Sequence, residues 1–290
     1  MINKVAIYGQ YLHADTIAIY KQLINLLDQS GISFSVENQF KQLLQEHGVV
    51  EQSHGFTSLD DSYDLLLSIG GDGTILRAVV YIGGLDIPVI GINSGRLGFL
   101  ATVQKDSLEQ AIERLVNGEY TLSKRSLLTA TPMGHDELNP NFALNEVTVS
   151  RYNTTSMIQI ETHLNNELLT SYWADGLIIS TPTGSTGYSL SCGGPVISPS
   201  TGALVLTPIA PHNLNARPLV IPDTTEIKIK VIGREESFLT SLDNRISSFP
   251  NETEVIVKKA SFTIDLVSFK DQSFIKTIRH KLLWGEDKRN

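Results

Sequence analysis

Near residue 120 the chain changes its periodicity, and few architectures accommodate both halves. Before that point short apolar runs alternate with segments of helical spacing. Lys4 to Tyr8 reads as a strand and Thr16 to Ser30 as a helix closed by Gly31; Phe34 to Val36, then Asn38 to His47 closed by Gly48, repeat the pattern. The apolar run Leu65 to Ile69, a helix over Ile75 to Tyr81 and a strand over Pro88 to Ile92 continue it, and Ser107 with Gln110 resembles a capping box opening a helix that Gly118 ends. Alternation of this kind implies a parallel sheet with helices on its faces. From Ser126 onward a period of two takes over: Ile158 and Ile160 are flanked by Met157, Gln159 and Glu161, and Ile227, Ile229 and Val231 interleave with Glu226, Lys228 and Lys230. Asn165-Asn166 and Asp243-Asn244 suit hairpin turns, because Asn tolerates positive φ. The second half therefore reads as antiparallel sheet with one face buried. The expected organisation is an α/β domain over 1–120 and a β-rich domain over 121–270. An amphipathic helix over Ile275 to Trp284 needs a partner surface, so the tail, about 271–290, is expected to pack back on the first domain.

Within the first half, Gly70, Gly71, Asp72, Gly73 and Thr74 stand between a strand and a helix. A glycine-rich turn there presents backbone N–H groups to a phosphate at the positive end of a helix. Asp72 is the anomaly, since a carboxylate repels phosphate unless a metal, a proton or a hydroxyl substrate stands between them. It reads either as a base or metal-directing group in a phosphoryl-transfer site, or as a cap for the following helix.

Composition narrows the partners. A net charge of −8 over 290 residues argues against a general affinity for nucleic acid. The single cysteine, Cys192, excludes a disulfide framework within the chain and suits a reducing, cytoplasmic setting. No apolar run reaches the ~18 residues of a transmembrane helix, so no membrane partner is expected. Met1 to Tyr11 enters a strand without a signal-peptide pattern. Asn153-Thr154-Thr155 and Asn251-Glu252-Thr253 match glycosylation acceptors, but without a secretion signal they carry no meaning.

Four further constellations bear on function. Gly91-Ile-Asn93-Ser-Gly95-Arg-Leu-Gly98-Phe-Leu100 is a glycine-rich loop leaving the next strand of the same sheet, where ligands of open α/β sheets bind. Asn145-Glu146 interrupts the apolar run Phe142 to Val149; an amide beside a carboxylate suits the donor edge of an adenine and the hydroxyls of a ribose. Asp175 to Pro195 packs hydroxyl residues, glycines and one aromatic, Tyr188, densely enough for a polar ligand. Pro208-Ile-Ala210-Pro-His212 precedes Arg217-Pro218-Leu219.

In this order, and over nearly the whole chain, these motifs resemble the NAD kinase family. The GGDGT loop, the Asn-Glu pair and the stretch from Asp175 through TPTGST to Gly194-Pro195 are together specific to it. The resemblance implies a Rossmann-like α/β N-terminal domain plus a β-rich C-terminal domain, the architecture shared with diacylglycerol kinases. It implies a kinase that moves a phosphoryl group from ATP or polyphosphate to the 2′-hydroxyl of the adenosine ribose of NAD, giving NADP. It also implies Mg²⁺, bound mainly through substrate phosphates with no dedicated protein ligands, and a homo-oligomer, dimer or tetramer. By the same resemblance Asp72 is the general base, with Gly70, Gly71, Gly73 and Thr74 in its loop. Asn145, Glu146, Asp175, Thr183, Thr186, Gly187, Tyr188, Ser189, Leu190, Ser191 and Ala210 are nucleotide-binding positions. Read from their own places in the chain and not from the resemblance, Asn93, Arg77 and Arg245 are candidate ligand contacts.

Three departures stand out. Gly187 replaces the family's usual Ala, Ser156 and Trp173 sit near positions where some relatives carry Arg, and Arg245 stands where a Gln is common. Arg77 reads equally as a phosphate contact or a solvated helix residue. His212 reads as a loop residue and the other histidines show no metal-ligand spacing. Cys192 reads as a small packed residue without a neighbouring activator. Lys258-Lys259 and Asp287 to Arg289 read as solvated. Two alternatives remain at this level: a lipid or sugar kinase, which shares the GGDG loop, and a non-catalytic NAD- or NADP-binding protein, which has no need of Asp72.

Overall fold

The computed structural model describes residues 2–49, 53–95, 98–136, 138–153 and 156–285. Arg96 of the second glycine-rich loop, Thr154 and Thr155 of the first acceptor triplet, and the charged tail 287–289 lie outside the described residues. The chain divides into two compact units, Met1–Lys124 with Ile264–Asn290, and Arg125–Thr263.

In the first unit the elements follow as β1 (Lys4–Gly9), α1 (Ala14–Gln29), β2 (Ser33–Glu37), α2 (Asn38–Glu46), β3 (His54–Phe56), β4 (Leu65–Ile69), α3 (Asp72–Ile82), β5 (Val89–Asn93), β6 (Val103–Gln104) and α4 (Leu108–Val116). The strands are parallel in the order β3-β2-β1-β4-β5, with β6 beside β5. Every residue of β4 and β5 is buried, as expected for strands covered on both faces. Ile19, Tyr20, Leu23 and Leu27 of α1, Phe40 and Leu44 of α2, and Leu108, Ile112 and Leu115 of α4 close one core with Val5, Ile7, Leu67 and Ile92. Gly31, Gly48 and Gly118 follow α1, α2 and α4 with φ of 68°, 74° and 70°, the left-handed ends anticipated from sequence.

Two boundaries differ from expectation. The helix after the glycine-rich turn begins at Asp72, three residues before Ile75, so the turn itself forms the first helical turn. Ser107 does not cap α4; its hydroxyl instead accepts the Gln104 N–H at 3.3 Å, closing a 3-10 turn over Lys105–Ser107. The three-residue β3 was missed, being too short to show a period.

The second unit carries the remaining strands: β7 (Thr121–Pro132), β8 (Phe142–Ala143), β9 (Glu146–Arg151), β10 (Ile158–Leu164), β11 (Glu167–Ala174), β12 (Gly176–Ser180), β13 (Ala203–Ile209), β14 (Leu219–Pro222), β15 (Ile227–Ile232), β16 (Ser237–Leu242), β17 (Arg245–Pro250) and β18 (Glu254–Ser268). One turn of helix, α5 (Tyr188–Ser191), follows β12. The chain passes from the first unit to the second within β7 and returns within β18. An antiparallel sheet in the order β14-β13-β12-β9-β16-β17 shares one core with the antiparallel run β11-β10-β15-β18. Val147, Val149, Leu177, Ile179, Leu204 and Leu206 from the first meet Ile158, Ile160, Ile227, Ile229 and Val231 from the second, as in a sandwich. Both anticipated hairpin turns are present, with φ of 49° and 69° at Asn165 and Asn166 and 52° at Asp243.

The last helix, α6 (Phe274–Leu282), is capped by the Ser273 hydroxyl, which accepts the Lys276 N–H at 3.2 Å. Just before it, Asp271 pairs with Arg114 at 2.7 Å and Gln272 meets Thr102 at 3.2 Å, both within the first unit. No helix among the described residues is long and apolar enough to cross a membrane.

Candidate functional site

At the end of β4 the chain turns through Gly70, whose φ is 151°, and enters α3 with Gly71 as its N-cap. Gly71 has no side chain to give, so the first N–H groups of α3 keep no side-chain cap. A Cβ placed on Gly71 or Gly73 would meet nothing within 4 Å, so the turn is open on that side. Thr74 is buried and packs its side chain against Gly70.

The Asp72 carboxylate does not cap its own helix. It reaches the second glycine-rich loop, where Oδ1 accepts the N–H groups of Leu100 at 2.9 Å and Ala101 at 3.0 Å, and Oδ2 accepts that of Phe99 at 2.7 Å. A carboxylate has about four lone-pair directions, so three are occupied and one, on Oδ2, remains. The approach is possible only because residue 98 is glycine: a Cβ there would overlap the carboxylate itself. Asn93 fixes the same loop, its Oδ1 accepting from Gly95 N at 2.6 Å and its Nδ2 donating to Ala101 O at 3.4 Å. That buried amide, expected at a nucleotide, makes these bonds to its own loop. Arg77 lies exposed one turn into α3, close enough to oppose the upward push that burial gives Tyr8, whose phenol is driven to about 12.

In the second unit Asn145-Glu146 does not lie in mid-strand. Strand β8 stops at Ala143 and β9 starts at Glu146, so Asn145 lies in the break between them and Glu146 opens β9. Asp243, in the turn between β16 and β17, holds that break open: its Oδ1 accepts from Asn145 N at 2.8 Å and Glu146 N at 3.2 Å, and its Oδ2 from Leu144 N at 3.0 Å. Burial, then the Asp243 carboxylate, pushes the Glu146 carboxyl up to about 8. Its Oε2 and the Oδ1 of Asn145 are buried with no hydrogen-bond partner among the described residues. Buried polar atoms are seldom left so, and a ligand is the usual explanation at a site.

The TPTGST segment is laced to the same break. Thr181 donates from its backbone to Asn145 O at 2.9 Å and from its hydroxyl to Leu144 O at 2.6 Å. Gly184 lies so close to the Asn145 backbone that a Cβ would overlap it. A Cβ on Gly187 would instead sit 3.3 Å from Glu146 Oε2 and 3.5 Å from Asn145 Nδ2, beside both orphaned groups. Tyr188 is 47% exposed; burial raises its phenol first, Cys192 next, and the Asp175 and Glu146 charges add to it. Asp175 pairs with Arg151 at 2.9 Å, and its backbone N–H reaches Ile209 O at 3.0 Å, beside exposed Ala210, whose φ is 44°. Left-handed backbone at a residue with a Cβ is uncommon, and here it ends β13 at the site. Thr186 donates to Thr183 O at 3.2 Å, Ser191 is exposed and Leu190 half-buried.

Other expected contacts also bond within the fold. Ser189 is buried, its hydroxyl 2.8 Å from that of Thr207. The Arg245 guanidinium bonds the Phe142 carbonyl and lies over the Phe142 ring, 5.7 Å from its centroid. Trp173 and Ser156 carry no charge toward this region, whereas Arg151, unremarked in the sequence, does. Asp243 was also missed: it read as a turn former, and no local signal shows that its carboxylate reaches a segment 97–99 residues earlier.

The comparisons with known proteins agree with this geometry. Residues 5–120 match the ATP-NAD kinase N-terminal domain and residues 144–269 the ATP-NAD kinase C-terminal domain. An NAD kinase of Christiangramia forsetii is 55% identical over 99% of this chain and 100% of its own length. One from Flavobacterium johnsoniae is 53% identical over the same shares. Among solved structures, yeast NADH kinase complexed with NADH superposes with a TM-score of 0.86 at 25% identity, covering 99% of this chain and 89% of that one. An Archaeoglobus fulgidus NAD kinase in complex with ATP gives 0.76 at 22% identity, covering 97% and 98%, and supports the fold alone.

Proposed function

The chain belongs to the NAD kinase family, and from that premise we propose that it transfers a phosphoryl group from ATP or polyphosphate to the 2′-hydroxyl of the adenosine ribose of NAD, with Asp72 as general base. The observation that carries this reading is the single remaining lone pair on Asp72 Oδ2, beside an uncapped helix N-terminus. A ribose hydroxyl is a weak nucleophile, and a carboxylate accepting its proton as the new P–O bond forms contributes ~10²–10⁴-fold. The three N–H donors from Phe99, Leu100 and Ala101 fix that carboxylate, so alignment is built in before substrate arrives. The open N–H groups at the start of α3 suit a transferring phosphoryl group. In the second unit, Asn145 and Glu146 have an amide oxygen and a carboxyl to offer the adenosine, with Tyr188, Asp175 and Ala210 alongside.

Among the described residues no three His, Cys, Asp or Glu side chains gather as a metal cage. The resemblance carries Mg²⁺ with it, and the donor's phosphates then supply its ligands; when bound it neutralises phosphate charge. Homo-oligomer formation and a cytoplasmic setting belong to the same proposal, and sedimentation and fractionation test them. Direct support for the reaction comes from offering labelled ATP and, separately, labelled polyphosphate with NAD, NADH, a diacylglycerol or fructose 6-phosphate. Label on NAD that a 2′-specific phosphatase removes is the expected result; label on the lipid or the sugar would replace this reading with another kinase, and none at all with a binding protein.

A further inference from the structure

Arg125 in β7 is a half-buried cation without a counter-ion among the described residues. Its Nε is fully buried with no hydrogen-bond partner among the described residues, and its Nη1 makes one long bond, 3.4 Å, to the Thr183 hydroxyl. No described carboxylate forms an ion pair with it, and burial draws its guanidinium down to about 10, leaving it charged at neutral pH. Thr183 is itself buried; its oxygen accepts from Arg125, which leaves its hydroxyl proton free to donate. Guanidinium and hydroxyl thus present several donors in one place without an ion-paired carboxylate. Charges drawn out of water are paired in folded proteins because desolvation makes a lone one costly. Donors that gather in this way without a negative partner call for an anion, and the fork of an arginine beside a hydroxyl matches phosphate oxygens.

We propose that Arg125 and Thr183 form a phosphate-binding subsite that takes one phosphate group of a substrate, from either the donor's polyphosphate chain or the pyrophosphate of the dinucleotide. Taking the anion as a substrate phosphate rests on the kinase reading above; the need for an anion does not. Neither residue takes a proton from the acceptor hydroxyl. Their work is to neutralise and orient phosphate next to the TPTGST turn.

Arg125→Met keeps the length and packing of the side chain while removing the charge, and Thr183→Val removes only the hydroxyl. Calorimetric titration with inorganic tripolyphosphate, ATP and NAD, alongside steady-state rates, reads the outcome. Arg125→Met is expected to weaken tripolyphosphate about 10–100-fold, and Thr183→Val by a smaller factor in the same direction. A KM raised for ATP alone assigns the donor chain, and one raised for NAD alone assigns the dinucleotide pyrophosphate. Arg125→Lys, which retains charge without the fork, is expected to recover part of the loss; it also serves if the methionine variant fails to fold. Affinities for all three ligands within twofold of the parent in a folded Arg125 variant would overturn the subsite and leave the kinase reading intact. Loss of tripolyphosphate binding in a protein that does not phosphorylate NAD would uphold the subsite and remove that reading.

Discussion

Asp72 and Asp243 make the same pattern of hydrogen bonds and sit in opposite surroundings. Each accepts three consecutive backbone N–H groups, two on Oδ1 and one on Oδ2: Phe99 to Ala101 for Asp72, Leu144 to Glu146 for Asp243. Asp243 is buried, and burial raises its carboxyl against the pull of those bonds and of Arg245. Asp72 is half-exposed at the start of a helix whose N-terminus stands open. The same local chemistry therefore makes a brace in one unit and, on the proposed reading, a proton acceptor in the other. What separates them is the surroundings of the fourth lone pair.

Among changes that leave both aspartates in place, the largest effect should come from displacing Asp72. In Gly98→Ala the new methyl contests the position of the carboxylate, so the carboxylate or the loop must shift. A displacement of about 1 Å costs on the order of 10²-fold in kcat, with a smaller change in NAD affinity. A Gly98→Ala enzyme with parental kcat would break the claim that loop closure positions the base. Next comes Gly184→Ala, where the clash is with the backbone of Asn145. It should raise the KM for NAD by about tenfold, with kcat less affected, and steady-state kinetics would show the opposite split if the Asn145 break served the chemistry.

Glu146→Gln sharpens the comparison through pH. The Glu146 carboxyl is pushed up from its ordinary value to about 8 by burial and by Asp243. Between its unfolded pKa near 4.5 and about 8 the native state therefore holds a proton that the unfolded state has released. Stability contributed by that group is complete below this window and is lost as pH rises through it. The Gln variant should melt at a higher temperature than the parent at pH 9, and the two should converge at pH 4. Parallel melting curves across that range would mean that Glu146 is ionised in the fold. The smallest effect belongs to Gly187→Ala: φ at residue 187 is −95°, and the added methyl meets Gly184 O at 3.2 Å and Glu146 Oε2 at 3.3 Å, approaches that a shift of a few tenths of an ångström relieves. Rates and affinities should stay within about threefold.

Strand–helix alternation was legible because covered parallel strands such as β4 are continuous apolar runs, and β10 and β15 showed their period of two. The GGDGT turn, the Asn-Glu break and the TPTGST segment were legible as motifs. Their supports were not. Asp243, Arg151 and Arg125 act through contacts made across strands distant in sequence, and a side chain in a turn or on a strand face carries no local sign of its partner. Asn93 and Arg245 add a further point: the bond from Gly95 N to Asn93 and that from Arg245 to Phe142 O tie these polar residues to their own scaffold, which their place in a site motif did not show. The start of α3 was misplaced because glycines argue against helix by propensity, while here Gly71 is the N-cap and Gly73 lies in the first turn.

The pair of variants Asp72→Asn and Asp243→Asn tests the central claim most directly. Each amide keeps one oxygen acceptor and turns an NH₂ toward a backbone donor, so local disturbance is matched between them. Amide hydrogen exchange at Phe99 to Ala101 and at Leu144 to Glu146 reports how much of each scaffold survives. For Asp72→Asn the account predicts a kcat lowered ~10²–10⁴-fold with NAD affinity changed far less. For Asp243→Asn it predicts the reverse balance, an NAD affinity weakened about 10–100-fold with the larger share of kcat retained. A folded Asp72→Asn enzyme that turns over NAD within threefold of the parent would contradict the account, leaving Asp72 as a second brace.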